Sequence, residues 1–479
     1  MVLSHRSVLL ALALALGSAG AACSSSNAAA PKAEQDAEPL TFPQKHDAGS
    51  ATDARTVTRS DGGAAEAGHA VDAAPDVDNG APSTTYPAPH PPLPTLMNQM
   101  DGSVLTSPKA YLVVFPDYPY LMDLQTFATN LTTATFWGGS TAEYGVGPLT
   151  VGGTITLTGQ TAPMMTTQAE IEAWVATELT TGAFGVPDPE GIYTIFYPST
   201  TTITQPNPVL GALAAPVESC VGFGGYHDDV AVALTDGGTP TNFSYAVIPT
   251  CDAFVNDLTA AVSHEWVESA TDPFFTSSPM GAFSLFAGPN AAYFTVDAAH
   301  AIWAVLGGGE AGDLCEPEGQ SAYVTPSDVG YTVQRTWSNL LASASHDPCA
   351  PDLTTPFFAA APVLSEPVSV TSAIIGGTID TVGVTIPVGS SKTIEVDLFS
   401  DGDTGGPFSV AATDPLVTSY GLGATLTFAW DRTTGVNGEK LHLTISVTNQ
   451  SLLDGVHVFS ITASQGTRQF VWSGVVKDS

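Results

Sequence analysis

A proline-rich stretch, DPCAPDLTTPFFAAAP at 347–362, divides this 479-residue chain into two textures, and the texture after it admits few folds. Residues 363–479 alternate apolar and polar side chains in KTIEVDLF, TLTFAWD, KLHLTISV, HVFSITA and QFVWSGVV. Gly, Asn and Asp turns separate these runs, GVNGEK most clearly. Side chains change face at every residue of a strand, so alternation lets one face pack while the other meets water. Runs of this kind at short intervals predict an antiparallel, all-β sandwich of Ig-like type. No group of His, Cys or acids in it suggests chemistry, which reads as a spacer or surface-binding module.

Before the break, residues 94–350 mix periods. AYLVVF (110–115), IYTIFYP (192–198) and YAVIP (245–249) are short apolar runs bounded by breakers and predict buried strands. AEIEAWVATEL (169–179) has helical spacing. A longer helix is predicted through AFVNDLTAAVSHEWVESAT, with Asp252 as its cap and Asp272-Pro273 as its stop. Strands with few helices predict an α/β or α+β domain. Residues 351–362 are then the linker.

The first 23 residues have a short basic start, an apolar run from Val8 to Leu16 and small residues before Cys23. That is an export signal, too short for a membrane span. Ala21-Ala22-Cys23 resembles a lipoprotein cleavage box, which predicts a lipid-anchored protein of the outer membrane or cell surface. Gly20 stands where such boxes carry an aliphatic residue, which leaves plain secretion as the alternative. With Cys23 lipidated, Cys220, Cys251, Cys315 and Cys349 form an even set suited to two disulfides in an oxidising compartment. Proximity favours Cys220 with Cys251 and Cys315 with Cys349, among three possible pairings. Residues 24–93 are rich in Ala, Pro, Asp, Ser and Thr with almost no aromatics, and predict a disordered tether. The formal charge of −35, from 12 Lys+Arg against 47 Asp+Glu, argues against a nucleic-acid partner.

Chemistry concentrates in LTAAVSHEWVESAT, 258–271. His264 and Glu268 are one helical turn apart and point the same way, so an imidazole nitrogen and a carboxylate oxygen can share one zinc ion. Glu265 projects beside them as a general base for metal-activated water. A third ligand is expected from GGGEAGDLCEPEG (307–319): Glu310 as ligand and Asp313 as the acid receiving the other N–H of His264, or the two exchanged. His227 in GGYHDD is a transition-state stabiliser, an alternative ligand or an ordinary turn histidine. Tyr226 is an oxyanion donor or a packed core tyrosine. His300 and His346 read as structural. No G-x-S-x-G elbow or phosphate-cradling glycine loop is present.

SHEWVESATDP followed by GEAGDLCE resembles the paired motifs of the Exordium (phosphate-induced protein) family and its bacterial secreted relatives. SCVGFGGYHDD (219–229), YAVIPTC (245–251), WGGSTAEYGVGP and YTVQRTWSNLLASASHDPC extend the likeness over roughly 100–350. The family's motif is similar to that of gluzincin zinc metallopeptidases. The resemblance implies a metallopeptidase-like domain with His264 and Glu268 as ligands, Glu265 as base and Glu310 as third ligand. Two functions are expected from different classes. One is an exported zinc hydrolase acting on extracellular protein or peptide. The other is a non-catalytic surface protein with a structural metal site that binds wall polymer or a partner.

Overall fold

The computed structural model describes residues 78–98, 101–206, 215–251, 254–274, 290–372, 377–418, 423–451 and 455–478. The export signal, Cys23 and Asp252 lie outside the described residues. The fold is largely β with few helices.

The first half is organised by five strands: β1 (Lys109–Val114), β2 (Thr150–Thr156), β3 (Gly191–Tyr197), β4 (Tyr226–Val232) and β5 (Thr241–Pro249), in the spatial order β2-β1-β3-β5-β4. All neighbours run parallel except β4, which is antiparallel to β5. Every residue of β3 is buried, as a strand covered on both faces requires. Strand alternation divides the sheet between two cores. Leu112, Val114, Ile192, Phe196, Ala246 and Ile248 join one core; Val113, Tyr193, Ile195, Tyr197, Tyr245 and Val247 join the other.

Helix α1 (Leu121–Leu131) and helix α3 (Val255–Thr271) pack into the first core, through Leu124, Phe127, Val262, Trp266 and Val267. Helix α2 (Gln168–Thr181) packs into the second through Ile171, Val175 and Leu179. A reciprocal capping box between Thr167 and Glu170 starts α2, and left-handed Gly182 (φ 75°) ends it. The N-cap position of α3 is Phe254, which makes no side-chain cap bond, and the helix stops at Asp272 as the Asp-Pro pair predicts. Trp266 anchors α3 to the sheet by donating Nε1–H to Thr194 Oγ1 at 2.7 Å.

The second half is a two-sheet sandwich. One sheet has the order Phe358–Pro362, Ser391–Ser400, Lys440–Val447, Leu426–Trp430. The other runs Glu366–Ser372, Gly377–Thr385, Arg468–Lys477, Val456–Gln465, Phe408–Thr413, Thr434–Gly435. Pairing is antiparallel except between Gly377–Thr385 and Arg468–Lys477.

Two expectations about boundaries are corrected. The linker was expected to reach Pro362, yet Phe358–Pro362 is a sandwich strand with every residue buried. Its three alanines fit a crowded position that a breaker-based reading takes for a loop. The tether was expected to reach residue 93, yet the chain from Asn79 is stitched to the sandwich. Gly80 bridges Glu439, and Asn437 binds Ser83 O, Thr85 O and the amide of Ala88 at 2.9–3.0 Å. His90 stacks on Phe399 with ring centroids 3.5 Å apart. A segment too polar to build a core borrows the partners its backbone needs from one asparagine.

The two halves share a core. Trp303 packs against Trp337 on one side and Phe470 and Trp472 on the other, at 5.4–6.1 Å. Gln469 donates to Pro317 O at 2.7 Å across the same junction. The disulfides are Cys220–Cys251 and Cys315–Cys349, the pairings that proximity favours. Among the described residues, no helix is long and apolar enough to cross a membrane.

Candidate metal centre

Three segments meet on the α3 side of the sheet. Helix α3 supplies His264, Glu265 and Glu268, all buried. Strand β4 supplies His227: alternation sends His227 towards α3 and its neighbours Tyr226 and Asp228 to the opposite face. The third segment, 310–313, follows the helix Ile302–Gly307 and is held by the Cys315–Cys349 bridge and by Trp337 N–H donating to Ala311 O at 2.7 Å.

Glu268 Oε2 is the hub. It lies 3.0 Å from His264 Nε2 and 3.6 Å from His227 Nδ1. Asp313 Oδ1 is 3.7 Å from His264 Nε2, and Glu265 Oε2 is 3.6 Å from His227 Nδ1. Glu310 Oε1 stands 3.3 Å from His227 Nε2, on the ring's far side. The other oxygen of Glu268 is fixed by backbone N–H groups of Gly312 (2.9 Å) and Asp313 (3.1 Å). That approach requires glycine: a Cβ at Gly312 would stand 2.5 Å from His264 Nδ1 and 2.8 Å from Glu268 Oε1.

Of the two acids whose roles the sequence left exchangeable, Asp313 is therefore the one beside His264 and Glu268, and Glu310 pairs with His227. Tyr226 does not reach this cluster. It packs against Phe223 and Tyr245 on the α2 side, which leaves no geometry for an oxyanion donor. Of the three readings the sequence leaves for His227, the turn histidine among solvated acids does not hold: it is a buried strand residue touching three carboxylates. His300 pairs with Asp297 at 2.9 Å beneath Trp303 and Trp472. His346 is half exposed and pairs with Asp401.

Asp272 was read only as a helix stop. It is fully buried, its Oδ1 accepts from Ala292 N–H at 2.6 Å, and its Oδ2 accepts no hydrogen bond among the described residues. Its burial and the charge of Glu310 push its carboxyl well above the ordinary range.

The electrostatics follow from crowding carboxylates out of water. Burial alone would lower both imidazoles, but the surrounding acids outweigh it and hold His227 and His264 well above the ordinary 6.5. Burial raises Glu310 to about 7 and Asp313 well above 3.8, with Glu268 adding repulsion. Glu268 is held low despite its burial, chiefly by His264. Such a cluster is neutralised either by protons or by a cation.

The donors fit zinc. Tetrahedral zinc with bonds of about 2.0–2.1 Å places its ligand atoms about 3.3–3.4 Å apart. The His264–Glu268 and His264–Asp313 separations of 3.0 and 3.7 Å bracket that spacing, and imidazole plus carboxylates is a set zinc accepts. A further acidic group, Glu318 with Asp347 beside Cys349, is already matched by Arg335 at 2.7 and 2.6 Å, and Cys349 is in a disulfide.

No protein-family model matches the chain, and no curated protein matches it. Similar solved structures include a chimeric titin Z1Z2 (14% identity, covering 26% of this chain and 97% of that one, TM-score 0.15). The titin M3 domain is 10% identical over 26% of this chain and 96% of its own, with TM-score 0.15. Surface layer protein SbsC, domains 1–6, is 12% identical over 56% and 37%, again with TM-score 0.15. Likeness at that level carries no argument about function.

Proposed function

We propose that the protein is an exported zinc-dependent hydrolase of metallopeptidase type, acting on extracellular protein or peptide. The observation that carries this reading is the buried donor triad His264 Nε2, Glu268 Oε2 and Asp313 Oδ1 with a second glutamate, Glu265, one residue along the same helix. Zinc held there by His264, Glu268 and Asp313 would supply a Lewis acid for a carbonyl and acidify water. The backbone bonds to Glu268 Oε1 fix that carboxylate and would leave its other oxygen to hold the ion. Glu265 accepts the proton of the attacking water and returns it to the leaving amine. His227, 3.6 Å from Glu265, offers an N–H to the developing oxyanion. Two carboxylate ligands make the metal a weaker Lewis acid than two imidazoles would, so turnover is modest.

Two disulfides suit an oxidising compartment, and the lipoprotein-type signal ending at Cys23 supports anchorage at the outer membrane or cell surface. The depth of the cluster favours a second reading, a surface binding protein whose metal only fixes the fold. Glu265→Gln separates them. In the hydrolase the variant keeps its tight zinc and loses about 10²–10⁴-fold in turnover of a quenched-fluorescence peptide library. A well-folded wild type that takes up no zinc when it is supplied sinks the hydrolase.

A further inference from the structure

The carboxylate assigned as the base also belongs to a second donor group. His227 Nδ1, Glu265 Oε2 and Glu268 Oε2 lie within 4.8 Å of one another, and the imidazole nitrogen is 3.6 Å from each oxygen. This group shares only Glu268 with the triad of His264, Glu268 and Asp313. Two divalent ions joined by one carboxylate typically stand about 3.5–4 Å apart, a span that one bridging oxygen permits.

A separate observation points to a ligand at this second group. Glu310 is 7% exposed, and its Oε1 faces His227 Nε2 at 3.3 Å. A metal-binding histidine usually gives its outer N–H to a carboxylate, which fixes the tautomer that leaves the other nitrogen free for the ion. Glu310 stands in that position for His227. Gly225 keeps the approach narrow, because a Cβ there would meet Glu265 Oε1 at 2.7 Å.

We infer that the centre holds a second, weaker divalent cation on His227, Glu265 and Glu268, and that its binding takes Glu265 out of service as a base. The inference rests on the hydrolase reading for the meaning of Glu265, but not for the existence of the site. It is weaker because the first ion already occupies the shared oxygen and repels a neighbour of like charge. Excess zinc would therefore act as an inhibitor at the same centre.

The test is a zinc titration of the full-length protein, followed by native mass spectrometry and equilibrium dialysis with elemental analysis. Two equivalents are expected, the second bound more weakly than the first. Glu265→Gln, nearly isosteric, should weaken the second by a further tenfold or so and leave the first in place. His227→Ala should do the same, and if it does not fold, Glu265→Gln decides alone. One equivalent at saturation overturns the second site and leaves the hydrolase reading standing. No zinc at all overturns both. Two equivalents that ignore both substitutions place the second ion elsewhere and overturn the inference.

Discussion

Gly312→Ala probes how the centre is held together. Gly312 has φ −75° and ψ −46°, a conformation alanine adopts freely, so the substitution carries no backbone penalty. The added methyl is the whole perturbation. It would arrive 2.5 Å from His264 Nδ1 and 2.8 Å from Glu268 Oε1, where ordinary contact needs about 3.5 Å. The segment must retreat by most of an ångström or the two side chains must turn away. Either movement loosens the bonds from the amides of Gly312 and Asp313 to Glu268. Overpacking of this kind costs about 1–3 kcal/mol in stability. Disturbing the groups that orient ligands typically costs about 10–100-fold in metal affinity. The expected result is a zinc Kd weakened by that factor in competition with a chromophoric chelator, with the stability loss read from urea unfolding. Gly138→Ala is the control: nothing lies within 4 Å of its Cβ, in the helix Thr135–Thr141. It should be neutral or stabilising by up to about 1 kcal/mol. If Gly312→Ala matches wild type within about twofold in zinc affinity, the close approach is not what positions Glu268.

Zinc binding should strengthen as pH rises through neutrality rather than levelling off near the ordinary histidine value. The ion displaces protons from His264, held high by Glu268 and Glu265 against its burial, and from Asp313, raised by burial and Glu268. Chelator competition at about pH 6, 7 and 8 checks this, and an affinity already flat at the lowest pH would contradict it. Replacing Cys315 and Cys349 by serine opens a loop of 34 residues and should cost about 3–4 kcal/mol by chain entropy, with weaker zinc binding because the bridge pins residues 310–313. Urea unfolding with oxidised wild type as reference reads the first effect; equal midpoints and slopes would show that the bridge does not contribute. Arg335→Ala should cost about 3–5 kcal/mol, because it strands Glu318 and Asp347 in a dry junction. Replacing all three by apolar residues should cost less, and the reverse order would refute the pairing argument.

Much of the fold was legible because its strands are either uniformly apolar or strictly alternating. AYLVVF, IYTIFYP and YAVIP are β1, β3 and part of β5, and HVFSITA and QFVWSGVV are adjacent sandwich strands. Helix α3 was legible in its length and its stop. What escaped were features set by contacts distant in sequence. The Gly80–Leu93 arm has no pattern of its own and is ordered by Asn437, more than 340 residues away. His227 stands between Tyr226 and two aspartates, a context that leaves a turn histidine and a site histidine both open until β5 pairs with the segment and makes it a strand with one face buried. Asp272 had a sufficient local explanation as a helix stop, so nothing in the sequence marked it as a buried carboxylate near the centre. His264, Glu265 and Glu268 were legible together because helical periodicity fixes their relative direction without any tertiary partner.

The arm also decides how a mechanical load enters the molecule. A pull on the chain upstream of Asn79 arrives first at the bridge from Gly80 to Glu439 and at the bonds gathered by Asn437. It then passes into Lys440–Val447, an inner strand hydrogen-bonded on both sides. The clasp yields, or the sandwich bears the tension, before any strain reaches helix α3. Traction on a surface-held copy would thus be spent in the half of the molecule that carries none of the proposed metal donors.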